Sequence, residues 1–201
     1  MSNVLPTVTR YTRNITREFR TASAEHRAEG MRWYAVARAE AEAMAEATGL
    51  PVESTVAIVA VLSPMLSWKR NLTVARTVCE QGQATGVLKA NLAKAQRILA
   101  GEPVAEVVTG QKVSAFYRNI LSAGTDAGVT VDRHAIDVAY GIRHAEQERP
   151  QPGKAAYATI SEAYTRAARI LSRETGEHVT PAQIQAVTWT TWRARHAWRK
   201  P

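Results

Sequence analysis

The chain has 201 residues, a formal net charge of +8 and a hydrophobic content of 45%. That is enough for one domain with a proper core, or for two lobes sharing one, and it excludes a disordered chain. The single cysteine, Cys79, excludes an intramolecular disulfide and any four-cysteine metal or iron–sulfur site.

The basic balance favours an acidic partner, nucleic acid first; the plain alternative is a basic protein without a polyanion partner. No apolar run approaches the ~20 residues of a membrane span. The N-terminal stretch lacks a basic start followed by an apolar block, so no signal peptide is expected and an intracellular location is.

In chain order, residues 3–26 are polar and basic, with Arg10, Arg13, Arg17 and Arg20 and a short helix expected at Thr16–Phe19 anchored by Phe19. Residues 28–48 place Trp33, Tyr34, Ala37, Ala41, Met44 and Ala45 at helical spacing and end at Thr48-Gly49. Val56 to Leu62 is apolar all round, which predicts a buried, central helix. Pro64 breaks it, and Ser67 caps the next helix, which runs to Cys79. Leu88 to Leu99 puts Leu88, Leu92, Ala95 and Leu99 on one face, with Lys89, Lys94 and Arg97 elsewhere.

A short helix is expected at 103–108, then a turn at Thr109-Gly110 and a helix to Ser122 with Val113, Phe116, Tyr117, Ile120 and Leu121 as its apolar face. Asp132 to Tyr140 reads as a helix. So does Lys154 to Arg173, with Ile160, Ala163, Tyr164, Ala167, Ile170 and Leu171 inward. Thr180-Pro181 is a strong helix start, N-cap then proline, for a last helix to about Trp198. No strand, repeat or low-complexity tract is evident, and the expected fold class is all-α.

Two residues break the bland pattern. Lys112 stands in the first turn of a helix, where the dipole favours Asp or Glu, two residues after Gly110, a glycine that leaves the following amides open to a phosphate. Asp132 follows twenty residues later as a ready N-cap.

The stretches Gly110-Gln111-Lys112-Val113-Ser114-Ala115 and Val131-Asp132-Arg133-His134 carry a family resemblance. So do Ile58 to Met65 followed by Asn71, and Lys94-Ala95-Gln96-Arg97-Ile98. Over about residues 55–140 the chain resembles the helix-hairpin-helix DNA glycosylases of the endonuclease III type. It departs from them in keeping only Gly110 of a hairpin that usually holds two or three glycines, and in lacking the cluster cysteines. The resemblance implies a single two-lobed domain: a helical-barrel lobe at 50–125 that carries the hairpin, and a second lobe formed by 1–49 plus 132–201.

It further implies a protein that binds double-stranded DNA and flips a base out of the stack to reach C1′. A monomer without a cofactor is expected, and without a metal, because His26, His144, His178 and His196 have no ligand spacing with each other or with Cys79. Lys112 would then be the nucleophile and Asp132 the carboxylate that stabilises the cationic sugar. Against these stand a lysine touching phosphate or solvent, and a plain cap. Gly110, Gln111, Met65, Trp68, Lys69, Asn71, Lys89 and His134 are the candidate DNA contacts. Met65 is either an apolar wedge or a filler of a core gap, Trp68 either a base contact or a core residue, and His134 either a participant or a packing residue.

At the C-terminus, Trp189 and Trp192 fall on one face with His196 and read as packing, with Arg195, Arg199 and Lys200 as phosphate contacts. Two other functions remain open on the same resemblance. One is the transfer of a group onto a DNA pyrimidine, as proposed for bacteriophage relatives; the other is DNA binding without turnover.

Overall fold

The computed structural model describes residues 7–126 and 128–196; the expected contacts from Arg199 and Lys200, and the helix end at Trp198, lie outside them. Every regular element described is a helix: α1 (Thr7–Arg20), α2 (Ala24–Thr48), α3 (Val52–Leu62), α4 (Trp68–Gln81), α5 (Lys89–Leu99), α6 (Val104–Val107), α7 (Gln111–Leu121), α8 (Arg133–Tyr140), α9 (Lys154–Thr175) and α10 (Pro181–His196). No single helix among the described residues is long and apolar enough to cross a membrane.

Two compact units divide the chain. Unit 1 joins the chain up to Tyr34 with that from Gly124 onward, and unit 2 is Ala35–Ala123. The division therefore falls inside α2, not at the expected 49/50 boundary between elements.

Unit 2 is built on α3. Its residues Thr55 to Leu62 are all buried, because a helix apolar on every face needs neighbours on every face. Those neighbours are α4, α5, α6 and α7. Asn71 on α4 donates from Nδ2 to the Val59 carbonyl at 3.1 Å, and Tyr117 on α7 donates to Glu53 Oε1 at 2.9 Å, so both helices are pinned to α3. Leu88, expected inward, is exposed: it is the N-cap of α5 and lies outside the helix whose spacing was used to place it.

Unit 1 packs α1 against α8, α9 and α10. Its core holds Tyr11, Ile15 and Phe19 of α1, Ile160, Tyr164 and Leu171 of α9, and Ile184, Val187 and Trp192 of α10. The fourteen residues of α1 extend well beyond the four expected at 16–19, since Tyr11, Ile15 and Phe19 recur every four residues and form one buried stripe. Ile170, expected inward on α9, is exposed. Asn14 donates from Nδ2 to the Ala139 carbonyl at 2.9 Å, which fixes α1 on α8.

Candidate functional site

The hairpin in unit 2 is local in origin. Val108 N–H bonds back to the Val104 carbonyl at 2.8 Å and Thr109 N–H to Val107 at 3.0 Å, which ends α6. Gly110 then takes φ +89° and ψ 133°, a conformation open only to glycine, and redirects the chain into α7. Ser114 donates from its hydroxyl to the Val108 carbonyl at 3.0 Å and closes the turn. Lys94 on α5 donates to Thr109 Oγ1 at 3.1 Å and ties the tip to its neighbour.

No side chain caps α7, so the amides of its first turn are left to other partners. A side chain at Gly110 would meet nothing within 4 Å, so the tip opens outward. Gln111 and Lys112 are exposed in that first turn. Lys112 makes no hydrogen bond or ion pair with any described residue. Burial, one of the two routes to a neutral, nucleophilic amine, is not what the fold provides here.

Trp68, half-buried at the start of α4, meets Phe116 edge to face with centroids 6.4 Å apart. Phe116 lies one turn beyond Lys112 on the same face of α7, so the α3–α4 loop and the hairpin helix adjoin. That loop presents Met65, 85% exposed and at φ +68°. The core-filling alternative for Met65 is thereby overturned. A left-handed non-glycine residue costs about 1–2 kcal/mol, and here it directs an apolar side chain into solvent. Lys69 and Lys89 are exposed.

Asn71 is corrected. It is 1% exposed and clamps α4 to α3 as described, so it cannot reach DNA. Its Oδ1 is buried with no partner.

Asp132 caps α8 in unit 1. Its Oδ1 accepts from the His134 amide at 3.0 Å and from the Ala135 amide at 2.8 Å. Its Oδ2 accepts from Trp189 Nε1 at 3.1 Å. Trp189 is the hub of this face: Trp33 at 5.8 Å and His134 at 6.3 Å contact it edge-on, and the Arg193 guanidinium lies 4.3 Å from its ring centroid. His134 is half-buried and accepts from Arg133 Nε at 3.3 Å. Burial, with the charges of Arg133 and Arg193, pushes its imidazole below the usual 6.5 against the opposing pull of Asp132, which favours the neutral ring.

Because both carboxylate oxygens of Asp132 are used, Asp132→Asn is not a silent change. Asparagine keeps one carbonyl oxygen for the cap and turns an NH₂ toward the indole N–H, donor against donor. We expect a loss of about 1–2 kcal/mol, read as a melting temperature lower by roughly 2–8 °C. In a Trp189→Phe background the same change should cost measurably less; equal costs in both backgrounds would show that the indole contact contributes nothing.

Beside this face an open cleft of about 570 Å³ lies wholly in unit 1. Arg133, His134, Arg143, Trp189, Arg193 and His196 line it, together with Asp137, Glu146 and Arg149. Arg149 is committed elsewhere, since its Nε and Nη2 bond the two oxygens of Asp137 at 3.2 and 3.3 Å and its Nη1 bonds Glu146 at 2.6 Å. Asp137 also meets His144 Nδ1 at 2.7 Å.

Trp192 is buried, with the His196 ring tilted against it at 4.4 Å between centroids; burial, then Arg143 and Arg195, lower the His196 pKa. Arg195, expected on phosphate, donates instead to Glu18 Oε2 at 2.6 Å. No group of three or more His, Cys, Asp or Glu among the described residues could hold a metal. Burial pushes the Cys79 thiol up to about 11, so it is not poised as a nucleophile.

The Trp189–Asp132 contact and the Asp137 cluster were not anticipated from the sequence. The one readable signal was Asp137 itself, a carboxylate between Ile136 and Val138 on a short apolar helix. Of the candidate residues, Gly110, Gln111, Lys112, Met65, Trp68, Lys69, Asn71 and Lys89 belong to unit 2, and Asp132 and His134 to unit 1.

No curated protein and no solved structure is similar enough to the chain to match. Residues 2–196 match the Family of unknown function (DUF7178), and the chain belongs to that family.

Proposed function

We propose that the protein binds double-stranded DNA and acts on a base turned out of the duplex, in the manner of a DNA glycosylase. The observation that carries this reading is the α6–Gly110–α7 hairpin: a helix start with no side-chain cap and an exposed lysine in its first turn. The amide end of a helix suits a phosphate oxygen. Met65 supplies an exposed apolar side chain of the kind that wedges between base steps.

In this reading the neutral Lys112 amine bonds to C1′ as the glycosidic bond breaks, and the base leaves with the bonding electron pair. Loss of the amine proton and opening of the sugar ring then give an imine. Enclosure by DNA must provide the desolvation that the exposed lysine lacks.

A duplex containing an abasic site tests this without knowledge of the base. Borohydride should trap the parent protein covalently, while Lys112→Gln should give no adduct and keep most of its affinity. Trapping of the Lys112→Gln protein would assign the nucleophile elsewhere. A second reading, DNA binding without turnover, is favoured by the exposure of Lys112 and the full occupancy of both Asp132 oxygens. A parent protein that binds the abasic duplex but never traps would select it.

A further inference from the structure

The helix α1 has no part in the hairpin or in the Asp132 face, yet its exposed side carries four arginines and no carboxylate. Arg10, Arg13, Arg17 and Arg20 recur at i, i+3, i+7 and i+10, and all four are exposed. Its only carboxylate, Glu18, is 5% exposed, faces inward and holds Arg195. Among the described residues, Glu174 pairs with Arg20 at 2.6 Å, and Arg10, Arg13 and Arg17 have no ion-pair partner.

Like charges three and four residues apart on a helix destabilise it, and cations near its N-terminus oppose the dipole. A solvated face that served solubility alone would mix the signs. The stripe is therefore a local cost that a polyanion would offset.

We infer that the exposed face of α1 is a second DNA-binding surface, on which the arginine stripe follows the phosphates of one strand. Ten residues of α-helix advance about 15 Å, long enough to lie along a run of backbone phosphates, and Arg10, Arg13 and Arg17 are its cations without an ion-pair partner among the described residues. An anionic membrane is the other surface that attracts a basic helix, but membrane binding also needs an apolar face to insert. On α1 that face, Tyr11, Ile15 and Phe19, is already in the core of unit 1. The inference rests on the DNA-binding reading above for its partner and extends it to the unit that lacks the hairpin.

The experiment is duplex-DNA affinity against salt for the full chain, the triple variant Arg10→Gln/Arg13→Gln/Arg17→Gln, the matching triple Arg→Lys variant, and Lys112→Gln. Each phosphate neutralised contributes about −0.9 to the slope of log affinity against log salt. The glutamine triple should be shallower than the parent by roughly 2.7, with a melting temperature no lower than the parent's. The lysine triple should keep the parent slope. Lys112→Gln, which replaces an amine that is neutral in the reading above, should keep it too.

A glutamine triple with the parent slope overturns the inference, and leaves the hairpin reading intact if borohydride still traps the parent on the abasic duplex and does not trap Lys112→Gln. A parent with no affinity for duplex overturns both. Charge-dependent binding to phosphatidylserine vesicles with none to DNA gives the helix to a membrane and also overturns it. Should the glutamine triple fail to fold, Arg13→Glu alone decides: it should weaken binding about tenfold in 0.1 M salt, and unchanged affinity sinks the stripe.

Discussion

Gly30→Ala is expected to destabilise the protein by about 3 kcal/mol, with a melting temperature lower by roughly 6–12 °C. Helix propensity alone argues the opposite. Gly30 lies inside α2, where alanine is favoured by about 1 kcal/mol. Packing decides the sign. A Cβ at this position would lie 2.4 Å from Val187 Cα, 2.6 Å from Val187 N and 2.7 Å from Val187 Cγ2.

The first two of those atoms are backbone of α10 and cannot rotate away. The helices must separate, or one must shift along the other. Val187 sits in the unit 1 core, and Trp189 two residues on holds Asp132, so a shift there also disturbs the α8 cap. A thermal melt of Gly30→Ala beside Gly153→Ala, where a Cβ meets nothing within 4 Å, separates the packing cost from any general effect of alanine. A Gly30→Ala protein that melts with the parent would mean that α2 and α10 can part at no cost.

What was legible in the sequence was what local chemistry decides. Ser67 and Asp132 were read as caps, and each side chain accepts the amides it should. Gly110 was read as a turn, and its positive φ is the reason. The apolar run Val56 to Leu62 told its own burial. Helix α1 is under-read because threonine, asparagine and arginine dominate it, although Tyr11, Ile15 and Phe19 carry the period. Spacing misplaces Asn71 and leaves Met65 open between wedge and core filler for a shared reason: exposure depends on which side of a loop or helix meets its neighbour, and spacing does not say. The Asp132–Trp189 bond joins residues 57 apart, and the Asp137 cluster needs the return of the loop after α8. Contacts of that kind have no period to read.

The Asp137 cluster gives the second large effect. Asp137 is 1% exposed, in a helix whose neighbouring residues are apolar. A carboxylate is stable there only if it is paired, and Arg149 provides the pair through two guanidinium nitrogens while its Nη2 also binds the His144 carbonyl at 3.0 Å. Arg149→Met preserves the buried stem and removes the charge. It strands the carboxylate with only the His144 contacts, and breaking a buried pair from one side costs about 3–5 kcal/mol. We expect a melting temperature lower by roughly 6–20 °C at neutral pH.

Removing both charges is a different matter, because an apolar pair of similar volume avoids the desolvation cost altogether. Asp137→Leu/Arg149→Met should therefore recover most of what Arg149→Met loses, and the double-mutant cycle should show a coupling of about 2 kcal/mol or more. Additive costs across the cycle would mean that the two side chains act independently. A double variant as stable as the parent that still binds duplex with the parent salt slope would place the cluster in the architecture of the cleft wall and outside the DNA contacts.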